Sequence, residues 1–208
     1  GKGFDKAVST TRVDLTDLTD TQLYEVQVAA YRGNTAYRGP YSKVNAKHAL
    51  PGTVTGLKTK KTATGSITLE WNKKPGADGY VVYQYIAAKK QTKRLATTTA
   101  RSFVFKGSGA KPGTKYYFYV APYTVDSKTK EGAKGTQLAT TTRPTATKCT
   151  AAKSAKKQQI TVHWNKVKCN GYAVQYSTKK NFSGDKKTLY VSLSLIHISE
   201  PTRLDVIS

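Results

Sequence analysis

The stretch that decides the fold is Ile67-Thr68-Leu69-Glu70-Trp71-Asn72-Lys73, which returns as Ile160-Thr161-Val162-His163-Trp164-Asn165-Lys166. In both copies apolar residues alternate with polar ones up to the tryptophan, the period of two expected of a β-strand with one buried face. Trp71 and Trp164 stand 93 residues apart, as do Pro51 and Pro144, and each proline precedes its tryptophan by 20 residues. Each tryptophan is followed by a Gly-Tyr pair that opens another strand-like run, Gly79-Tyr80 in GYVVYQY and Gly171-Tyr172 in GYAVQY. A further match, LYEVQVAAY around Tyr24 with KYYFYVAPY around Tyr116, has a separation of 92. A near-constant offset across so many landmarks marks a tandem array with one structural unit per repeat.

Composition agrees with an all-β reading. With 38% hydrophobic residues in 208, the chain can bury a core. Thr, Val, Tyr and Gly outweigh Leu, Glu and Met, which favours pleated strands joined by turns. Lys74-Pro75-Gly76 and Lys111-Pro112-Gly113 are turn signals between short strand candidates, the spacing of a sandwich rather than of alternating strands and helices. A full repeat is expected to hold about seven strands.

Several of these landmarks together resemble fibronectin type III modules of bacterial extracellular proteins. They are the tryptophan of strand B, the Gly-Tyr start of strand C, Pro112-Gly113-Thr114-Lys115-Tyr116 leading into strand F, and Gly39-Pro40-Tyr41-Ser42 at the entry to strand G. The resemblance covers residues 1 to 192 and implies tandem immunoglobulin-like β-sandwiches, the first and last incomplete. Residues 1–50 would supply strands E, F and G of one module, residues 51–143 a complete module, and residues 144–192 the opening strands of a third. Pro51-Gly52 and Arg143-Pro144 would be linkers too short for independent tumbling. The resemblance also implies that Tyr24 and Tyr116 are corner tyrosines whose hydroxyls bond back to the chain before strand F. Leu18, six residues before Tyr24, fits that pattern. Ala110 replaces the leucine before Tyr116, which leaves the packing there open. Gln84 stands where the third repeat has Tyr176, which leaves open the inward register at the end of strand C.

From Leu193 the sequence reads LSLIHISEPTRLDVIS, breaks the Lys-Thr-Tyr composition before it, and resembles the translation of a transposase-type sequencing adapter. His197 and Glu200 are therefore expected to carry no function. A chain without Met that begins in mid-pattern is expected to be part of a longer protein, any export signal lying upstream. No apolar run is long enough to span a membrane.

The sequence offers little for catalysis. His48 is expected to end a strand G, His163 to point outward beside Trp164, and none of the three histidines to have a partner. The 12 acidic residues form no closely recurring pair, and no Gly-x-Ser-x-Gly or phosphate loop occurs. Cys149, Cys169 and His163 match no zinc spacing. The two cysteines are read either as a disulfide between strand A and the B–C turn, contributing about 3 kcal/mol, or as free thiols. The expectation is no enzyme, no catalytic residue, no metal and no cofactor.

The net charge of +23 is uneven. Residues 1–50 contribute +2, residues 51–143 +13 and residues 144–208 +8. Lys60-Lys61, Lys73-Lys74 and Lys89-Lys90 are expected at turns and strand ends as solvated loops. Arg-Gly-Asp is absent, since Asn34 follows Arg32-Gly33 and Pro40 follows Arg38-Gly39. Such a field attracts polyanions without specificity, and on a bacterial exterior these are anionic cell-wall polymers and glycans. Nucleic acid is the weaker reading, because Tyr24, Tyr80, Tyr116 and Tyr172 are assigned to cores rather than to stacking surfaces. Three functions follow: a non-catalytic spacer on a secreted or wall-associated protein, an adhesion or glycan-binding module, or an accessory region of a secreted hydrolase. The neighbouring modules of the same chain are the other expected partners.

Overall fold

A computed structural model describes residues 8–33 and 36–193, and they are all-β. The adapter-like segment after Leu193, with His197 and Glu200, lies outside the described residues, as does Asn34. The strands, in chain order, are β1 (Leu23–Val26), β2 (Asn45–His48), β3 (Lys58–Ala63), β4 (Ser66–Glu70), β5 (Gly79–Ile86), β6 (Gln91–Thr98) and β7 (Ser102–Lys106). They continue as β8 (Lys115–Val125), β9 (Thr129–Glu131), β10 (Leu138–Thr141), β11 (Cys149–Lys156), β12 (Gln159–Trp164), β13 (Gly171–Tyr176) and β14 (Lys187–Ser192). The second repeat makes two sheets, ordered β3-β4-β7 and β10-β8-β5-β6, with β9 added to β8. These are the A-B-E and G-F-C-C′ orders of an immunoglobulin-like sandwich, so the expected fold class holds.

Two compact units divide the chain. The first comprises Gly1–Lys58, Leu69–Phe103 and Tyr117–Ala139. Within it β5 runs antiparallel to β6 on one side and to β8 on the other. Val82 faces Val120 and Tyr80 faces Pro122 across that ladder, and all four are buried. The Trp71 ring meets Tyr80 edge-on at 5.5 Å, a geometry that favours the quadrupoles of both rings. Gly79 is required ahead of Tyr80, because a Cβ there would lie 2.5 Å from the Tyr123 hydroxyl oxygen. Gln84 keeps the register that the sequence left open, paired with the fully buried Phe118. β1 and β2 form a separate ladder from Leu23–His48 to Val26–Asn45.

The second unit comprises Thr59–Thr68, Val104–Tyr116 and Thr140–Ser208. Phe105 packs edge-on against Tyr116 at 5.0 Å, and its ring also approaches the Cα side of Gly109. Ala110, whose packing the sequence left open, is buried at 4% exposure. β11 pairs with β12 and β13 with β14, each as an isolated two-stranded ladder. Trp164 and Tyr172, at 5.2 Å, repeat the ring pair of the second repeat.

Burial is not shared equally among the repeats. Every fully buried large apolar side chain among the described residues lies between Val54 and Pro122. Ile160 is 69% exposed and Tyr176 57% exposed, while Val162 and Trp164 are half-buried. A two-stranded ladder has no second layer to cover its apolar face, so the same alternation that builds a core in β4 leaves β12 wet. Residues 8–18 contain no strand, β1 has four residues where β8 has eleven, and β9 adds a three-residue strand to β8. β8 is extended by pairing with β5 along most of its length; β1 has β2 alone.

Candidate functional site at the junctions between repeats

Each corner tyrosine fixes the turn that precedes it. The Thr19 N–H donates to the Tyr24 hydroxyl at 2.8 Å, and the Lys111 N–H donates to the Tyr116 hydroxyl at 2.7 Å, which in turn donates to the Gly109 carbonyl. The strand C tyrosines do the same for the loop after strand B. Tyr80 accepts from the Lys74 N–H at 2.9 Å and Tyr172 from the Val167 N–H at 3.0 Å. Two kinds of loop are thus held in shape by rings rooted in sheets, and these loops meet where one repeat follows another.

In the first unit the turn before Tyr24 lies on the loop that follows β4. Asp20 Oδ2 is 2.5 Å from Lys74 Nζ and also accepts the Gly52 N–H at 2.9 Å. The Thr21 hydroxyl donates to the Pro75 carbonyl at 2.8 Å. Gly76 has φ +72, and a Cβ there would lie 2.4 Å from Thr21 Oγ1, so the contact requires glycine twice over. On the other side of Pro51, His48 Nδ1 is 2.6 Å from Asp126 Oδ1, and the Asp126 side chain is only 5% exposed. The hydrogen bond from Lys74 holds the Asp20 carboxyl below the usual range, with help from Gly52 and against partial burial. The hydrogen bond from His48 does the same for Asp126.

In the second unit the turn before Tyr116 meets the loop after β12 in the same way. Lys168 Nζ donates to Thr114 Oγ1 at 3.1 Å. Gly113 has φ +57, and a Cβ there would lie 2.0 Å from the Lys168 carbonyl oxygen. Thr142, 1% exposed, ties the turn down by donating to the Lys111 carbonyl at 2.6 Å and accepting from the Thr114 N–H at 3.0 Å. The glycine sits on the loop in one junction and on the corner turn in the other.

Several sequence readings change here. His48 has a partner, Asp126, where none was expected. Lys74 is an ion-pair member rather than a solvated loop residue, and Lys60-Lys61 lie inside β3 rather than at a turn. Lys89-Lys90 are exposed at the β5–β6 turn and His163 points outward, both as expected. Cys149 opens β11 and Cys169 precedes β13, and both are free thiols, so the disulfide reading falls. Among the described residues no group of His, Cys, Asp or Glu is placed to hold a metal ion, and no helix is long and apolar enough to cross a membrane.

No family model matches the chain. Among solved structures it is similar to FN3tt, at 18% identity over 46% of this chain and 97% of that one, with a TM-score of 0.38. It is similar to the FN5 domain of Drosophila Lar, at 23% identity over 45% of this chain and 98% of that one, with a TM-score of 0.37. It is also similar to the fibronectin type-III domain of human fibronectin type III domain containing protein 3, at 16% identity over 46% of this chain and 91% of that one, with a TM-score of 0.36.

Proposed function

We propose that the chain is a non-catalytic spacer on the exterior of a bacterial cell, made of modules at residues 1–50, 51–143 and 144–192 whose neighbours are held together rather than strung on free linkers. The observation that carries this reading is the repeated junction, a corner turn of one repeat set on the loop after strand B of the next. A linker as short as Pro51-Gly52 leaves little slack, and the Asp20–Lys74 and His48–Asp126 contacts on its two sides remove the remaining freedom. Sandwiches presented in this way hold whatever lies beyond them at a set distance. The excess of basic residues in the later repeats supplies a diffuse attraction for anionic wall polymers, which is screened by salt. Small-angle X-ray scattering of the full chain tests the spacer reading. The double variant Asp20→Ala, His48→Ala should broaden the distribution of interatomic distances, and an unchanged distribution would sink it.

A further inference from the structure

The outer face of the sheet that contains β5 and β8 carries four tyrosines in register. Tyr83 lies opposite Tyr119 and Tyr85 opposite Tyr117. The alternate residues Val82, Phe118 and Val120 point into the core. The Tyr85 ring meets Tyr117 and Tyr119 edge-on, with centroids 6.4 and 6.5 Å away. Rings packed in this way hold one another in place before any ligand arrives, which lowers the entropy lost on binding. All four are half-buried, so part of each remains open to solvent.

The rim is polar and mixed in sign. Lys134 Nζ stands 4.6 Å above the Tyr83 ring centroid. The Tyr83 hydroxyl donates to Glu131, whose other oxygen lies 3.2 Å from Arg94 Nη1. Gln137 Nε2 donates to the Tyr119 hydroxyl at 2.5 Å. Burial, and then the Glu131 carboxylate, push the Tyr83 hydroxyl up to about 12, so it stays a neutral donor.

We infer that this tyrosine face is a binding site for an acidic polysaccharide, a chain of carboxylate-bearing sugar rings. The apolar faces of pyranose rings match the exposed aromatic surface that these tyrosines present. Their hydroxyls need donors and acceptors together, which Gln137, Glu131 and the tyrosine hydroxyls supply. Their carboxylates meet Lys134, in a repeat of net charge +13. A single-stranded nucleic acid also stacks on aromatic rings. Here, however, tyrosines locked edge-to-face leave no slot between them for a base. This inference takes from the proposed function only the sign of the ligand's charge and replaces a diffuse attraction with a shaped site.

The test is titration of the full chain with alginate, a polyuronate, at ~0.15 M salt. Saturable binding is expected. Tyr85→Ala and Lys134→Gln should each weaken it about tenfold. The pair Lys156→Gln, Lys157→Gln, in the third repeat, should change it less than about twofold although it removes more charge. Neutral dextran and oligothymidylate should bind at least about tenfold more weakly than alginate. Tyr85→Ala is checked by its thermal melt; were it unfolded, the exposed loop variant Lys134→Gln carries the comparison. Losses that follow net charge equally in all variants would overturn the site and leave the diffuse attraction standing. No binding of alginate at any salt concentration would overturn both, and tighter binding of oligothymidylate would overturn the choice of polysaccharide.

Discussion

His48 Nδ1 lies 2.6 Å from Asp126 Oδ1, joining the last residue of β2 to the turn between β8 and β9 across 78 residues of chain. Asp126 also accepts the His48 backbone N–H at 3.4 Å. Together with Asp20–Lys74, this pair makes the first junction depend on two carboxylates held in their charged form.

Those carboxylates set its pH dependence. Both have folded-state pKa values below the ordinary 3.8. A depressed value contributes stability that is present above the unfolded pKa and lost as pH falls through the folded one. The junction should therefore be intact at neutral pH and loosen only as pH drops below 3.8. Amide chemical shifts of Ala49 and Gly52, followed by NMR down to about pH 2, should move together in that acidic window. A transition completed above pH 5 would contradict the assignment.

Trp71 is buried at 4% exposure, and its Nε1 has no hydrogen-bond partner among the described residues. Trp71→Ala should cost about 3–5 kcal/mol through the cavity left behind. Trp71→Phe keeps most of the apolar volume and forfeits no hydrogen bond, so it should cost about 1–2 kcal/mol. Urea unfolding followed by circular dichroism measures both; equal losses would show that the indole N–H matters more than the packing.

The two corner tyrosines should respond differently to removal of the hydroxyl. Tyr116 is 7% exposed and its hydroxyl both accepts and donates, so Tyr116→Phe removes two part-buried hydrogen bonds at once. The expected cost is about 1–3 kcal/mol. Tyr24 is half-buried and its Thr19 donor is exposed, so water replaces the lost bond. Thermal melts of Tyr24→Phe should stay close to wild type.

Gly113 faces the Lys168 carbonyl from a left-handed backbone. Gly113→Ala should strain the turn and push the loop after β12 away, costing more than about 1 kcal/mol. Cross-linking between cysteines placed at Thr114 and Lys168 would report the displacement. An unchanged cross-linking yield would mean that this junction does not depend on the glycine.

Protection from hydrogen exchange should divide the chain. Amides of β5 and β8 lie in a multi-stranded sheet over a dry core, whereas those of β12 and β13 lie in two-stranded ladders with Ile160 and Tyr176 exposed. Slow exchange is expected in the former and fast exchange in the latter. Equal protection across residues 159–176 would show that the third repeat is covered in solution.

What the sequence by itself determined is what is local. Alternation placed β4 and β12, and the Gly-Tyr pairs marked where β5 and β13 begin, because side-chain period and close backbone approach are read within a few residues. The corner tyrosines were expected from the resemblance alone, and each hydroxyl reaches back only five residues, to Thr19 or Lys111. Lys74 and His48 were misread as free because nothing near them in the sequence names Asp20 or Asp126 as a partner. The tyrosine face was hidden in KYYFYVAPY and GYVVYQY, where both sets of alternate residues are large. Only the pairing of β5 with β8 decides that Tyr83 meets Tyr119 outside while Val82 meets Val120 inside, since a slip of one residue would exchange the two faces.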